Sequence, residues 1–290
     1  MTESADLRIG ALSRRVGVSP ELLRAWEHRY GLLRPVRSAG GFRLYSAADE
    51  ERVHAMRRHL DAGVSAAQAA RLALAEPPRD AADEASAGLM RLSTELRAAL
   101  DRLDDSGAHA ILDRLLAAFT LRTVLRDVVL PYLRDLGARW QRGEATVAQE
   151  HFASNVLRGR LLGLARGWGQ GSGPRAVLAC APGELHDLPL IVFGLVLAER
   201  GWQITYLGAD TPIPTIEEAL ADVDPRLVVV AAMTAQRLRA AQPELTKLAR
   251  SVPVALAGGG ASAALAGATG ASLLEGDPVT AAERVADERR

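Results

Sequence analysis

From Pro174 onward, short apolar runs alternate with helical stretches, and this alternation constrains the fold more than any other feature. The runs are Ala176–Ala181, Gln203–Leu207, Leu227–Ala232, Val254–Ala257 and Ala271–Leu274. Helical patterns separate them at about Leu188–Arg200, Thr215–Asp222, Ala235–Ala249 and Ser262–Gly267, with Val279–Glu288 last. Strands spaced by helices of this length predict an α/β, Rossmann-like, doubly wound parallel sheet over 174–290.

The rest of the chain reads differently. Residues 87–168 hold one proline, Pro131, and no strand-like run. Apolar residues recur there at helical spacing, as in Leu96, Leu100, Leu103 and in Ile111, Leu112, Leu115, Leu116, Phe119, which predicts a bundle of three or four helices. Residues 1–76 are also helical in pattern, with Gly and Pro concentrated at 31–41. Two segments read as connectors: 77–86 (PPRDAADEAS), a polar linker opened by two prolines, and 169–173 (GQGSG), a flexible joint. The expectation is a multidomain chain of all-α winged head, four-helix bundle and α/β sheet.

Composition narrows the partners. Net charge is zero, yet residues 1–47 carry eight Arg against four acids, a basic head that suits an anionic partner. All basic residues but Lys247 are arginine, and they are spread along the whole chain, a bias that reads as codon usage. The one cysteine, Cys180, excludes a disulfide framework and a multi-cysteine zinc site, and reads as a small buried strand residue. No apolar run approaches the roughly 18 residues of a membrane helix. The opening MTESADLRIG lacks the plan of a secretory signal, so a cytoplasmic location is expected.

In the head, residues 8–18 (RIGALSRRVGV) form a short helix, Gly17-Val18 a tight turn, and Ser19 caps a second helix, Pro20–Tyr30. That is a helix-turn-helix outline. Arg24, His28 and Arg29 of the second helix can reach base edges or phosphates. Arg37, Gly40-Gly41, Phe42, Arg43 and Tyr45 then read as a two-stranded wing with a glycine tip. Trp26, Leu32 and Phe42 are expected in the core, and Glu27 in an internal pair. Arg24, His28, Arg37, Arg43 and Tyr45 are the candidates for contact with DNA. The string LLRAWEHRYGLLRPVRSAGGFRLYS at 22–46 resembles the MerR family of regulators, through Arg24, Trp26, Glu27, Gly31, Leu32, Pro35, Arg37, Gly41, Phe42, Arg43 and Tyr45. The resemblance implies binding to double-stranded operator DNA. The long dimerisation helix usual in that family is missing, because Pro77-Pro78 ends the helix that starts near Ala66.

In an open α/β sheet, ligands bind at the carboxyl ends of the strands. Those ends carry Pro182–Asp187, Gly208–Thr211, Met233–Gln236, Gly258–Gly260 and Glu275–Asp277, a cluster of polar and small residues. His186 is the only histidine among them. With Glu184 and Asp187 beside it, it can ligate a metal while a carboxylate orients the ring. The Gly258-Gly259-Gly260 run follows the fourth strand rather than the first and lacks a ribose-binding acid, so it is not a dinucleotide loop. It reads either as a tight turn or as a place where backbone approaches a flat ligand.

Glu184, His186, Gly258 and Gly259, with Thr234 near a Ser/Thr position, resemble the cobalamin-binding domain, although Pro189 stands at a motif glycine. The resemblance implies that His186 is the lower cobalt ligand, with the nucleotide tail running past Thr234 to the glycines. In the bundle, Trp140 is followed ten residues later by Glu150-His151, which resembles the light-sensing, adenosylcobalamin-binding MerR regulators of the CarH/LitR type. That resemblance implies a bundle over the upper face of the corrin, with Trp140, Glu150 and His151 around the adenosyl group. It further implies a non-enzymatic repressor whose holo-form self-assembles into a dimer or tetramer and dissolves on illumination. Gln141 stands where those photoreceptors carry a histidine that captures cobalt after light, so either His151 or a water takes that place or the response differs. Two alternatives stay open: a light-independent cobalamin sensor, and a regulator binding haem or a linear tetrapyrrole in the same pocket.

Overall fold

The computed structural model describes residues 7–38, 40–76, 81–170 and 172–288. The chain divides into two compact units, Met1–Gly88 and Leu89–Arg290. In the first unit, α1 (Ile9–Val16) and α2 (Pro20–Tyr30) form the helix-turn-helix. The Ser19 side chain accepts from the Leu22 N–H, and Pro20 opens the helix where a missing N–H costs nothing. Strands β1 (Val36–Arg37) and β2 (Arg43–Leu44) pair antiparallel as the wing; the tip residue Ala39 lies outside the described residues. Helices α3 (Ala47–Asp61) and α4 (Ala66–Ala75) complete a core built on Leu12, Leu23, Trp26, Leu32 and Met56.

Pro77 and Pro78, expected to open the linker, lie outside the described residues. Helix α5 (Ala81–Asp101) begins before the expected linker has ended, so residues 81–86 are helical. The bundle continues with α6 (Asp105–Ala118), then α7 (Leu121–Val124), which runs without a break through a π turn at Leu125–Val129 into α8 (Leu130–Gln141), and ends with α9 (Val147–Leu164). Leu125, Val128 and Val129 of the π turn are buried. Leu96 and Leu100 point into the core, but Leu103 lies past the end of α5 with positive φ and is 47% exposed. Of the GQGSG joint, Gly171 lies outside the described residues. Before it, Trp168 is packed edge-on against Tyr206, and its carbonyl accepts from the Ile204 N–H.

The sheet is fully parallel. Strands β3 (Arg175–Cys180), β4 (Gln203–Gly208), β5 (Leu227–Ala231), β6 (Val254–Ala257) and β7 (Ser272–Leu273) lie in the order β4-β3-β5-β6-β7. Side chains of β3 alternate between two cores, as a pleated strand requires: Ala176, Leu178 and Cys180 on one face, Val177, Ala179 and Ala181 on the other. The first face continues into the bundle, so sheet and bundle share one apolar core. Helix α10 (Leu188–Glu199) is apolar all round because the sheet, α9 and α15 (Pro278–Glu288) surround it. The other face is covered by α11 (Ile213–Val223), α12 (Ala235–Ala240), α13 (Gln242–Leu248) and α14 (Ala263–Thr269). The single helix expected over 235–249 is broken at Ala241, where Pro243 opens a new first turn. Among the described residues, no helix is long and apolar enough to cross a membrane.

Candidate functional site

Strand order reverses between β3 and β5, so the crevice at their carboxyl ends is the expected ligand position. His186 follows β3 and Met233-Thr234 follow β5, which brings two of the sequence-predicted segments together there. Glu184 is wholly buried between them. Its Oε1 lies 2.6 Å from His186 Nδ1 and accepts from the His186 N–H at 3.0 Å. Its Oε2 accepts from the Met233 N–H at 2.8 Å and pairs with the Arg237 guanidinium. Burial alone would raise this carboxyl, but the bonds from Met233, His186 and Arg237 outweigh it and hold it down at about 2. The His186 side chain itself is 64% exposed. A carboxylate fixed on Nδ1 leaves Nε2 as the coordinating atom, the usual arrangement of a metal-bound histidine. Among the described residues no three His, Cys, Asp or Glu side chains converge on one point. A lone backed imidazole fits a metal that brings its own equatorial ligands.

The loop is braced from several sides. The Gly183 N–H donates to Asp210 Oδ1 at 2.6 Å, and the Asp210 N–H donates back to the Glu184 carbonyl. Asp187 accepts from the Tyr206 hydroxyl at 2.6 Å and pairs with Arg158 of α9 at 2.8 Å. Cys180 is buried beneath, its thiol pushed up to about 12 by burial and by the nearby Asp187 and Glu184. Arg237, Arg158 and Tyr206 escaped the sequence reading, whereas Asp210 lay in the Gly208–Thr211 segment it singled out.

On α9, Glu150 Oε2 lies 2.6 Å from His151 Nδ1, and Oε1 accepts from the Ser154 hydroxyl at 2.8 Å. Burial would raise Glu150, yet these bonds and the positive fields of His151 and His186 hold it below the usual range. Helix α9, which carries Glu150 and His151, is tied to the His186 loop by the ion pair of Arg158 with Asp187. Trp140 is 52% exposed at the end of α8, so its indole is not consumed by the bundle core; Gln141 beside it is exposed too. Thr234 is exposed and makes no side-chain capping bond. Gly258 and Gly260 have an internal reason to be glycine: a Cβ on either would overlap the backbone of the Ala232–Ala235 segment. Gly259 meets only the Met233 carbonyl, at 3.3 Å, and is exposed.

In the head, Arg24, His28, Arg37 and Arg43 are exposed. Tyr45 corrects the sequence reading. Its ring is fully buried, with its hydroxyl donating to Glu27 at 2.9 Å, so it cannot reach a phosphate. Burial and the Glu27 carboxylate push its phenol up. Phe42, expected in the core, is 56% exposed beneath the Arg8 guanidinium, 4.7 Å from the ring centre. Glu27 pairs internally as expected, and its other oxygen takes Arg43 Nε at 2.9 Å, which fixes the wing strand against α2. Glu27→Ala strips the Tyr45 hydroxyl of its acceptor and should cost the head about 1–2 kcal/mol in thermal unfolding. Glu27→Gln, which keeps an acceptor, should cost less; equal losses would show that the bond to Tyr45 is not what matters.

A winged helix-turn-helix in one unit and a carboxylate-backed imidazole at a sheet switch point in the other define a DNA-binding regulator with a cofactor-binding half. Residues 7–76 match the MerR HTH family of regulatory proteins, and residues 92–162 and 174–279 each match a B12 binding domain. The HTH-type transcriptional repressor CarH of Myxococcus xanthus is 33% identical over 254 residues, 85% of this chain and 85% of its own. The repressor CarA of the same organism is 34% identical over 233 residues, 79% of this chain and 77% of its own. In structure, the monomethylamine corrinoid protein of Methanosarcina barkeri shares the fold with a TM-score of 0.57, at 18% identity, over 69% of this chain and 99% of its own. The chain belongs to the family of B12-binding, MerR-type transcriptional regulators that includes CarH and CarA.

Proposed function

We propose that this chain is an adenosylcobalamin-dependent, light-responsive repressor, non-enzymatic and cytoplasmic, in which the cobalamin state sets self-assembly and operator binding. The observation that carries the reading is His186, exposed at the carboxyl ends of the strands with Nδ1 tied to buried Glu184. His186, through Nε2, would hold the cobalt of such a cofactor. Trp140, Glu150 and His151 would help to hold its adenosyl group, and Thr234, Gly258 and Gly259 its nucleotide portion. The bound cofactor supplies a cobalt–carbon bond that light can break. On the DNA side, Arg24 and His28 face the groove while Arg37 and Arg43 hold the backbone, so a single head binds weakly and with steep salt dependence. Assembly into a dimer or tetramer supplies the remaining affinity through repeated half-sites. Residues 1–76, 87–168 and 174–290 act as reader, lid and platform.

The test loads the full chain with adenosylcobalamin in the dark and follows its visible spectrum, its size and its operator binding before and after green light. A spectral change with loss of size and release of DNA is expected. Gln141 favours a second reading, a cobalamin sensor indifferent to light, because an amide is a poor substitute for a capturing imidazole. An unchanged size and unchanged DNA binding after photolysis would select it. Failure to bind any cobalamin would direct attention to haem or a linear tetrapyrrole.

A further inference from the structure

We propose that Arg158 and Asp187 are positioning residues for the cobalt ligand: their ion pair fastens the loop carrying His186 to helix α9. The inference rests on His186 being that ligand. Asp187 is the immediate neighbour of His186 and stands at the N-cap of α10, where an aspartate ordinarily accepts a backbone N–H of the first turn with its side chain. Here it makes no such bond. Its carboxylate turns to the other side, with Oδ1 2.8 Å from Arg158 Nη2 and Oδ2 accepting from the Tyr206 hydroxyl at 2.6 Å. Only 6% of that side chain is exposed. Capping therefore does not account for the residue, and the contact with α9 does.

The position of Arg158 on α9 gives the contact its meaning. Glu150, Ser154 and Arg158 are spaced at i, i+4 and i+8, one face of the helix. The top of that stripe is Glu150, bonded to Ser154 and to His151. Its lower end is Arg158, ion-paired with the neighbour of His186. A rigid helix thus joins the groups proposed for the upper face of the cofactor to the loop that supplies the lower ligand. Glu184 fixes the orientation of the imidazole ring, and Asp187 fixes where the loop stands relative to the bundle. With the strut cut, the ring keeps its carboxylate but loses its setting against the cofactor.

The experiment uses the full chain labelled with 15N-histidine and loaded with cob(II)alamin, read by electron paramagnetic resonance. Nitrogen hyperfine structure from the label reports the fraction of cobalt bound by protein histidine. Arg158→Met and Asp187→Asn are each expected to lower that fraction at least threefold. The double variant should be no worse than the worse single one, and Arg158→Lys should recover part of the signal. A purely structural brace would lower the unfolding temperature and leave the histidine signature at its wild-type level; that result, or additive losses in the double variant, overturns the proposal. Arg158 is 35% exposed, so Arg158→Met keeps the test valid if Asp187→Asn fails to fold. His186→Ala is the separate arm. It should abolish the labelled signature, and a signature that persists there refutes the ligand assignment itself, and the strut with it.

Discussion

Glu184→Ala is expected to cost the sheet-bearing unit about 3–5 kcal/mol, the range for breaking a buried charge pair from one side. The side chain is fully buried and answers four donors: the Met233 N–H, the His186 N–H, the His186 ring and the Arg237 guanidinium. Alanine leaves the Met233 and His186 N–H groups without their acceptor, opens a cavity beneath the loop and takes the partner from the Arg237 guanidinium. The same carboxylate predicts an acid transition. Its folded value is depressed to about 2 from 4.5, so its stabilisation is complete above pH 4.5 and is lost as the pH falls through 4.5 towards 2. At about 1.4 kcal/mol per pH unit, the loss amounts to roughly 3 kcal/mol. Urea midpoints of wild type and variant, followed from pH 6 to 2, should converge in that window. A constant gap across it would mean that the carboxylate charge is not what stabilises the loop.

Gly258→Ala is the second large expected effect, about 3 kcal/mol or more. Its φ is +87°, a conformation unfavourable by about 1–2 kcal/mol for a residue with a Cβ. The added methyl would also overlap the Ala232 carbonyl oxygen, which already accepts the Gly260 N–H at 2.9 Å. Neither partner can retreat without parting β5 from β6, whose last rungs end at this point. Gly259→Ala offers the contrast, since it meets only the Met233 carbonyl and carries no positive φ. It should cost clearly less than Gly258→Ala in urea unfolding of the cofactor-free protein and should weaken cobalamin binding if the tail passes there. Similar unfolding losses for both variants would show that the run is a turn and nothing more.

Elements whose signals are local were legible. Pro20–Tyr30 was bounded by its own cap and glycine, and the β3, β4, β5 and β6 runs stood between clear breaks. Glu184 and His186 were readable because they sit two residues apart. Arg237 was not, since it meets Glu184 from 53 residues away and nothing in its neighbourhood announces the partner. Arg158 and Tyr206 were hidden for the same reason. The swap of Tyr45 and Phe42 is more instructive. On the short β2 strand and its approach, a residue's face depends on the strand pairing and on Leu7, which bridges to Tyr45, and aromatic character alone favours neither side.

The π turn at Leu125–Val129 has a consequence for the end of α8. An α-helix advances about 100° per residue, and a π turn accommodates one residue beyond the α count. Everything after it is therefore offset in angular phase from everything before it. Arg139, held by Asp101 through two bonds of 3.0 Å, and Trp140 beside it both take their bearing from that offset. The compass direction of the indole is thus written in the count of residues well upstream. Removing one residue from that turn would leave the side chains of α8 unchanged in kind and turn Trp140 and Gln141 to face a different way.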